Sequence, residues 1–190
     1  MIAFIAQYMA ENGTLQGRPV VSTILSNTGL DSFIASLGVE YFATKVGERY
    51  VIEKMQEVNG ALGGEESGHV VLGDYSKTGD ALVVSLVLSL GLLQSGKKMS
   101  EVFPVFKEDA CAFKNLRFAS NEQVKKIMAD DKVLAEAEAA KSAIAGQGRV
   151  VFRASGTEPV VRIWVGGKDK ALVEALAEKM VAAVNLSAAA

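Results

Sequence analysis

A chain of 190 residues, 49% of them apolar and 22% charged, has the composition of a folded protein that can bury one large core or two small ones. Its net charge of -2 removes the bulk electrostatic attraction that nucleic acid or an anionic membrane would demand. The single cysteine, Cys111, excludes an internal disulfide, fits a reducing compartment, and is expected to be a buried small residue rather than a reactive thiol.

The opening "MIAFIAQYMAENG" lacks the basic start and small-residue cleavage site of a signal peptide. Ile2, Ile5 and Met9 recur at near-helical spacing, which predicts an amphipathic helix to about Asn12. "RPVVSTIL" then reads as a buried strand, "LDSFIASLG" as a helix closing on Gly38, and "VEYFATKVG" as a short strand. "ERYVIEKMQEV" places Tyr50, Val51, Met55 and Val58 on one helical face. A "GGEESGH" loop, a strand "VVLGD" and a turn "YSKTGD" lead into "ALVVSLVLSLGLL", which is too short to span a bilayer and is expected to be a core helix. Strands alternating with helices define an α/β layer with a mostly parallel sheet.

The pattern changes near Pro104. "AFKNLRFAS" reads as a strand ending at Ser120, which forms a capping-box signature with Gln123. The helix that follows extends towards Ile144, with "ADD" as a possible interruption. Two apolar strands flank "RASGTEP", and a last helix carries Leu172, Val173, Leu176, Met180, Val181 and Val184 as one stripe, with Asp169 as its cap. The closing "SAAA" is expected to fray. The fold class is therefore α/β: an α/β/α layered domain with a mixed, mostly parallel sheet over 1–104, then a small α+β domain over 105–190.

Three loops carry chemistry. In residues 153–159, Arg153 at a strand end can fork onto two phosphate oxygens, and Ser155 and Thr157 add hydroxyl donors. Gly156 can take a positive φ and let backbone N–H groups converge on an anion, and Arg162 adds a second positive charge. An ordinary hairpin turn uses the same Ser, Gly, Thr and Pro. In residues 63–69, Glu65, Glu66 and Ser67 offer acceptors suited to sugar hydroxyls, or form a solvated turn. His69, the only histidine, is a proton carrier or a structural side chain, and with one distant cysteine it makes no zinc pattern. In "KVGERYV", Lys45 can meet a phosphate or assist a proton transfer, or join Glu48 and Arg49 in a surface ion-pair cluster. "SKTGD" reads as a turn and helix cap, with Asp80 near a positive helix end.

"TKVGERYV", "GGEESGHVV", "DYSKTGD" and "RASGTEPVVRIWV", in this order, resemble the α-D-phosphohexomutase superfamily, and within it the third and fourth domains of the phosphoglucosamine mutase branch. The resemblance covers essentially the whole chain. It implies four domains around one cleft: a phosphoserine loop of Ser-His-Asn-Pro type, an Asp-x-Asp-x-Asp-Arg loop for Mg2+, a Gly-Glu-x-Ser-Gly-His sugar loop and an Arg-x-Ser-Gly-Thr phosphate loop. Carried over, Glu65 and Ser67 bind sugar hydroxyls beside His69, and Lys45 stands near the reacting oxygens as an acid–base group. Arg153, Ser155, Gly156 and Thr157 hold the phosphate that is not being transferred.

The first two loops have no counterpart here. His69 follows Gly68, so no Ser-His-Asn-Pro exists, and the aspartates at 31, 74, 80, 109, 130, 131 and 169 include no Asp-x-Asp. The expectation is a cytoplasmic C-terminal piece of a phosphoglucosamine mutase. It would bind a phosphorylated hexosamine or hexose weakly and without turning it over, partner the N-terminal domains of the same protein, and hold no metal itself. A piece of a phosphomannomutase/phosphoglucomutase, and a free-standing sugar-phosphate-binding module, are the alternatives.

Overall fold

The computed structural model describes residues 1–189 and divides them into two compact units, Met1–Glu108 and a second beginning at Asp109. Residues 105–108 therefore belong to the first unit, not the second, because Val105 and Phe106 pack on its core and Phe106 stacks on Phe33. Each unit has its own hydrophobic cluster.

In the first unit, strands β1 (Val20–Thr23), β2 (Tyr41–Thr44), β3 (Leu62–Gly64) and β4 (Val70–Leu72) lie in the order β2-β1-β3-β4. β1 runs parallel to β2 and β3, and β4 is antiparallel to β3, giving the mixed, mostly parallel sheet. The strand residues alternate between two covered faces, as a sheet layered on both sides requires. Val20, Leu62, Val70 and Leu72 join a cluster with helices α1 (Ile2–Glu11) and α2 (Thr28–Ser36), while Val21 and Val71 meet Val51 and Met55 of α3 (Glu48–Val58). β3 is the strand that the sequence hides inside the "GGEESGH" loop. A Cβ at Gly63 would fall 2.3 Å from the Met55 sulfur, so glycine there lets α3 seat directly on β3.

Helix α4 (Ala81–Ser95) is not a core helix. It forms part of an outer layer, where only one stripe can find cover. Val84 and Gly91 are buried, but Leu82 is 79%, Leu86 70% and Leu93 78% exposed. Tyr50 likewise turns outward, leaving Val51 and Met55 as the buried contacts of α3. A short helix, α5 (Met99–Val102), completes this unit.

The second unit is an antiparallel sheet in the order β5-β7-β6, formed by β5 (Ala110–Arg117), β6 (Gly148–Ala154) and β7 (Val160–Gly167). Helices α6 (Asn121–Met128), α7 (Asp131–Ile144) and α8 (Lys170–Ala189) cover one face. Ser120 caps α6 by accepting the Gln123 N–H, and Gln123 reaches back to the Ala119 N–H. The "ADD" interruption is real: Asp130 accepts the Lys132 and Val133 N–H groups and starts α7. The Ser187 hydroxyl donates to the Asp130 carboxylate at 2.6 Å, and α8 runs through Ala189 rather than fraying at "SAAA"; Ala190 lies outside the described residues.

β5 alternates strictly, with Ala110, Ala112 and Leu116 facing the helices and Cys111, Phe113, Asn115 and Arg117 facing away. Cys111 is consequently exposed rather than buried. On the same helix-free face, Arg162 of β7 lies directly opposite Asn115 and Arg153.

Candidate functional site

Two loop systems carry the residues singled out by sequence, one in each unit. In the first unit they gather where the parallel strands end, the edge at which open α/β sheets present ligands. Glu65 follows β3, and its carboxylate is buried with 7% side-chain exposure. One oxygen, Oε1, accepts the Gly47 N–H at 2.8 Å, and the other lies 3.6 Å from His69 Nδ1. The Ser67 hydroxyl is 3.1 Å from the same nitrogen. Glu65, Ser67 and His69 are thus one contiguous group, with Ser67 and most of the His69 ring open to solvent.

The local backbone depends on glycine at two points. Gly68 has φ +102° in the turn that returns the chain through His69 into β4, which pairs with β3, and Gly47 has φ +129° at the entry to α3. Lys45, the first residue after β2, is exposed. Its loop is tied to residues 63–69 through the Gly47–Glu65 bond. Arg49 turns away to pair with Glu53 at 2.7 Å.

Contacts that the sequence does not indicate lace this edge together. Glu48 Oε1 accepts the Thr78 hydroxyl at 2.8 Å and the Gly79 N–H at 2.6 Å, pinning the "SKTGD" turn to the start of α3. Those bonds, the Gly79 amide foremost, hold the Glu48 carboxyl below its usual range, and the charge of His69 acts in the same direction. The Thr23 hydroxyl donates to Glu66 Oε2 at 3.0 Å, and the Ser22 hydroxyl to the Gly64 carbonyl at 2.7 Å. A cavity of about 190 Å3, lined in part by Ser26, Asn27, Glu65, Glu66 and Val70, opens beside the loop. A second, of about 220 Å3, includes Arg18, Asn59, Gly60 and Asp74 and lies at the opposite strand ends, away from this chemistry. Asp80 caps α4 through the Leu82 and Val83 N–H groups.

In the second unit the β6–β7 connection begins at Arg153. The Ser155 N–H is spent on the Val160 carbonyl at 2.8 Å, closing the loop. Among the described residues, the amides of Gly156 and Thr157 and the Thr157 hydroxyl have no internal acceptor. The Ser155 hydroxyl lies 3.5 Å from Arg162 Nη2. Gly156 does not take the positive φ expected of it, and a Cβ built there meets nothing within 4 Å. The chain itself therefore has no conformational need for glycine at this position.

Arg153 and Arg162 face each other in register, an arrangement that like charges disfavour unless an anion is shared. Glu158 supplies one carboxylate nearby: it accepts from Arg117 Nη2 at 2.8 Å and lies 3.6 Å from Arg162 Nη2. Neither Arg117 nor Glu158 was singled out by sequence; the outward alternation of β5 was the signal for Arg117. Among the described residues, no group of three or more His, Cys, Asp or Glu side chains is placed to hold a metal ion. This donor set does not suit Mg2+, which takes an octahedral shell of oxygen ligands. No helix among the described residues is long and apolar enough to cross a membrane.

Residues 1–108 match the family model for the alpha/beta/alpha domain III of phosphoglucomutase/phosphomannomutase, and residues 114–183 match the model for its C-terminal domain. The chain belongs to this phosphohexomutase family. A phosphoglucosamine mutase from Paramagnetospirillum magneticum is 39% identical over 188 residues, which is 99% of this chain and 42% of that protein. One from Rhizobium etli is 38% identical over 185 residues, 97% of this chain and 40% of that protein. The chain thus spans about two fifths of the length of these relatives. An N-acetylphosphoglucosamine mutase from Aspergillus fumigatus superposes with a TM-score of 0.76 at 16% identity, over 98% of this chain and 43% of that one. The same enzyme in complex with GlcNAc-6P and magnesium gives a TM-score of 0.73 at 18% identity, over 96% of this chain and 45% of that one. These structural likenesses establish the fold.

Proposed function

We propose that this chain is the sugar- and phosphate-recognition half of a phosphoglucosamine mutase, and that by itself it binds a phosphorylated amino sugar without turning it over. The observation that carries this reading is the similarity to phosphoglucosamine mutases along 97–99% of the chain, at 38–39% identity. In the parent reaction a phosphoserine gives its phosphoryl group to glucosamine 6-phosphate. The bisphosphate formed then reorients and returns its other phosphate to the serine, leaving glucosamine 1-phosphate for UDP-N-acetylglucosamine and cell-wall synthesis.

The chemistry of each unit supports its part. Buried Glu65 is fixed by the Gly47 amide and sits beside Ser67 and His69, so a carboxylate, a hydroxyl and an imidazole converge in a form suited to sugar hydroxyls. Lys45 is presented on the tied neighbouring loop, where it serves as an acid–base group. In the second unit, Arg153 and Arg162 supply positive charge, and Ser155, Thr157 and the amides of Gly156 and Thr157 supply donors. Such a cradle recognises charge and geometry rather than one face of a sugar, as a reorienting bisphosphate requires. Phosphoryl transfer depends on a positioned nucleophile and on cationic stabilisation of the transferring group. This sequence contains neither the serine loop nor the aspartate-rich metal loop that supplies them.

Calorimetric titration of the chain with glucosamine 6-phosphate tests the reading. Binding without interconversion to glucosamine 1-phosphate is expected, and Arg153→Ala should weaken it by about tenfold or more, the worth of a charge-assisted bidentate contact. Unchanged affinity in Arg153→Ala would remove the phosphate-cradle assignment.

A further inference from the structure

β5 ends at Arg117, which lies directly opposite Val160. Arg162 is two residues further along β7 and faces Arg153. Three guanidinium-bearing residues therefore occupy neighbouring register positions on one sheet face, with Glu158 as the carboxylate among them. The contacts of that carboxylate are unequal. Oε1 accepts a hydrogen bond from Arg117 at 2.8 Å, whereas Oε2 and the Arg162 guanidinium are 3.6 Å apart, beyond hydrogen-bond reach. The other contact of Arg162, to the Ser155 hydroxyl, is at 3.5 Å, and its buried Nε has no acceptor among the described residues. Arg162 is thus a cation held only by long contacts.

We infer that Arg117 is a positioning residue for phosphate recognition: by holding Glu158, it keeps the protein's own carboxylate from closing onto Arg162 and competing with an incoming anion. The inference rests on the reading of residues 153–159 as a phosphate cradle. Its physical basis is the 0.8 Å difference between the two Glu158 contacts, 3.6 less 2.8. With Arg117 gone, Arg162 is the remaining ion-pair partner of Glu158, and that pairing neutralises the site from within. The Arg117 hydrogen bond, foremost, and the charge of Arg162 hold the Glu158 carboxyl below its usual range, so it is ionised at neutral pH.

The test is a double-substitution cycle on the full chain, titrated at low salt with glucosamine 6-phosphate and, separately, with inorganic phosphate. Arg117→Gln is expected to weaken binding of both about twofold to fivefold, the scale of one exposed ion pair. Glu158→Gln should bind at least as well as the unaltered chain, and the double variant should match it within a factor of two. Loss in Arg117→Gln that persists beside Glu158→Gln overturns the inference, because Arg117 then acts without Glu158; so does unchanged binding in Arg117→Gln. Arg153→Ala is the control: if it binds normally, the cradle reading itself falls. If it loses binding while Arg117→Gln does not, only the positioning role falls. Arg117 is 66% exposed, and thermal unfolding of each variant verifies that the fold is kept.

Discussion

Glu65 Oε1 accepts the backbone N–H of Gly47 at 2.8 Å, so the carboxylate that follows β3 is also the anchor of the loop that carries Lys45. This structural role can be measured apart from the proposed binding role. Glu65→Ala leaves the partly buried Gly47 amide without its acceptor and should cost about 1–3 kcal/mol of stability. Glu65→Gln keeps an oxygen in place and should cost less. Chemical denaturation of the three proteins, with amide exchange at Gly47 followed by NMR, checks both statements. Slow, unchanged exchange in Glu65→Ala would refute the anchoring role.

A pH dependence follows from Glu48. Its carboxyl accepts from the Gly79 amide and the Thr78 hydroxyl, and its pKa lies below the ordinary 4.5 in the folded chain. Unfolding restores the ordinary value, so the unfolded state binds the proton more readily. The stabilisation is therefore complete above about pH 4.5 and disappears as pH falls through the lower, folded value. Glu48→Gln should be less stable than the unaltered chain at pH 6, and the gap should narrow between pH 5 and pH 3. Parallel urea titrations across that range provide the check; a constant gap would show that the charge of Glu48 does not matter.

Much of this fold was legible because local patterns and tertiary demands agree. The strand–helix alternation, the caps at Asp80 and Ser120 and the stripe on α8 each have a local cause that the structure retains. The exceptions also have physical reasons. β3 spans only Leu62–Gly64, and two glycines give it no β-like composition; it forms because β1 and β4 flank it. Cys111 and α4 were misplaced because hydropathy says what a residue tolerates, not which face finds a neighbour. At the candidate sites, residue type and order single out Glu65, Ser67 and Arg153. The roles of Glu48, Arg117 and Glu158 arise from contacts between positions 30 to 41 residues apart, which no local pattern records.

The outward face of α4 yields a contrast within one helix. Leu86 is 70% exposed and Val84 7% exposed. Leu86→Gln should leave stability within about 0.5 kcal/mol, as surface changes do, whereas Val84→Ala should cost about 1–3 kcal/mol through lost burial. Differential scanning calorimetry distinguishes the two, and a large loss from Leu86→Gln would mean that this face is covered in solution.

Gly156 separates folding from recognition most cleanly. Its φ is not left-handed, and an added Cβ meets no atom within 4 Å, so Gly156→Ala should fold with an unchanged melting temperature. The amide beside that Cβ nevertheless has no acceptor among the described residues, and a phosphate approaching it would meet the new methyl group. Affinity for glucosamine 6-phosphate should therefore fall by about tenfold, through displacement of one or more charge-assisted contacts. The expected signature is lost binding without lost stability, read from calorimetric titration and thermal unfolding of the same sample. Equal affinity in Gly156→Ala would place the anion elsewhere on the loop, on the arginine and hydroxyl side chains alone.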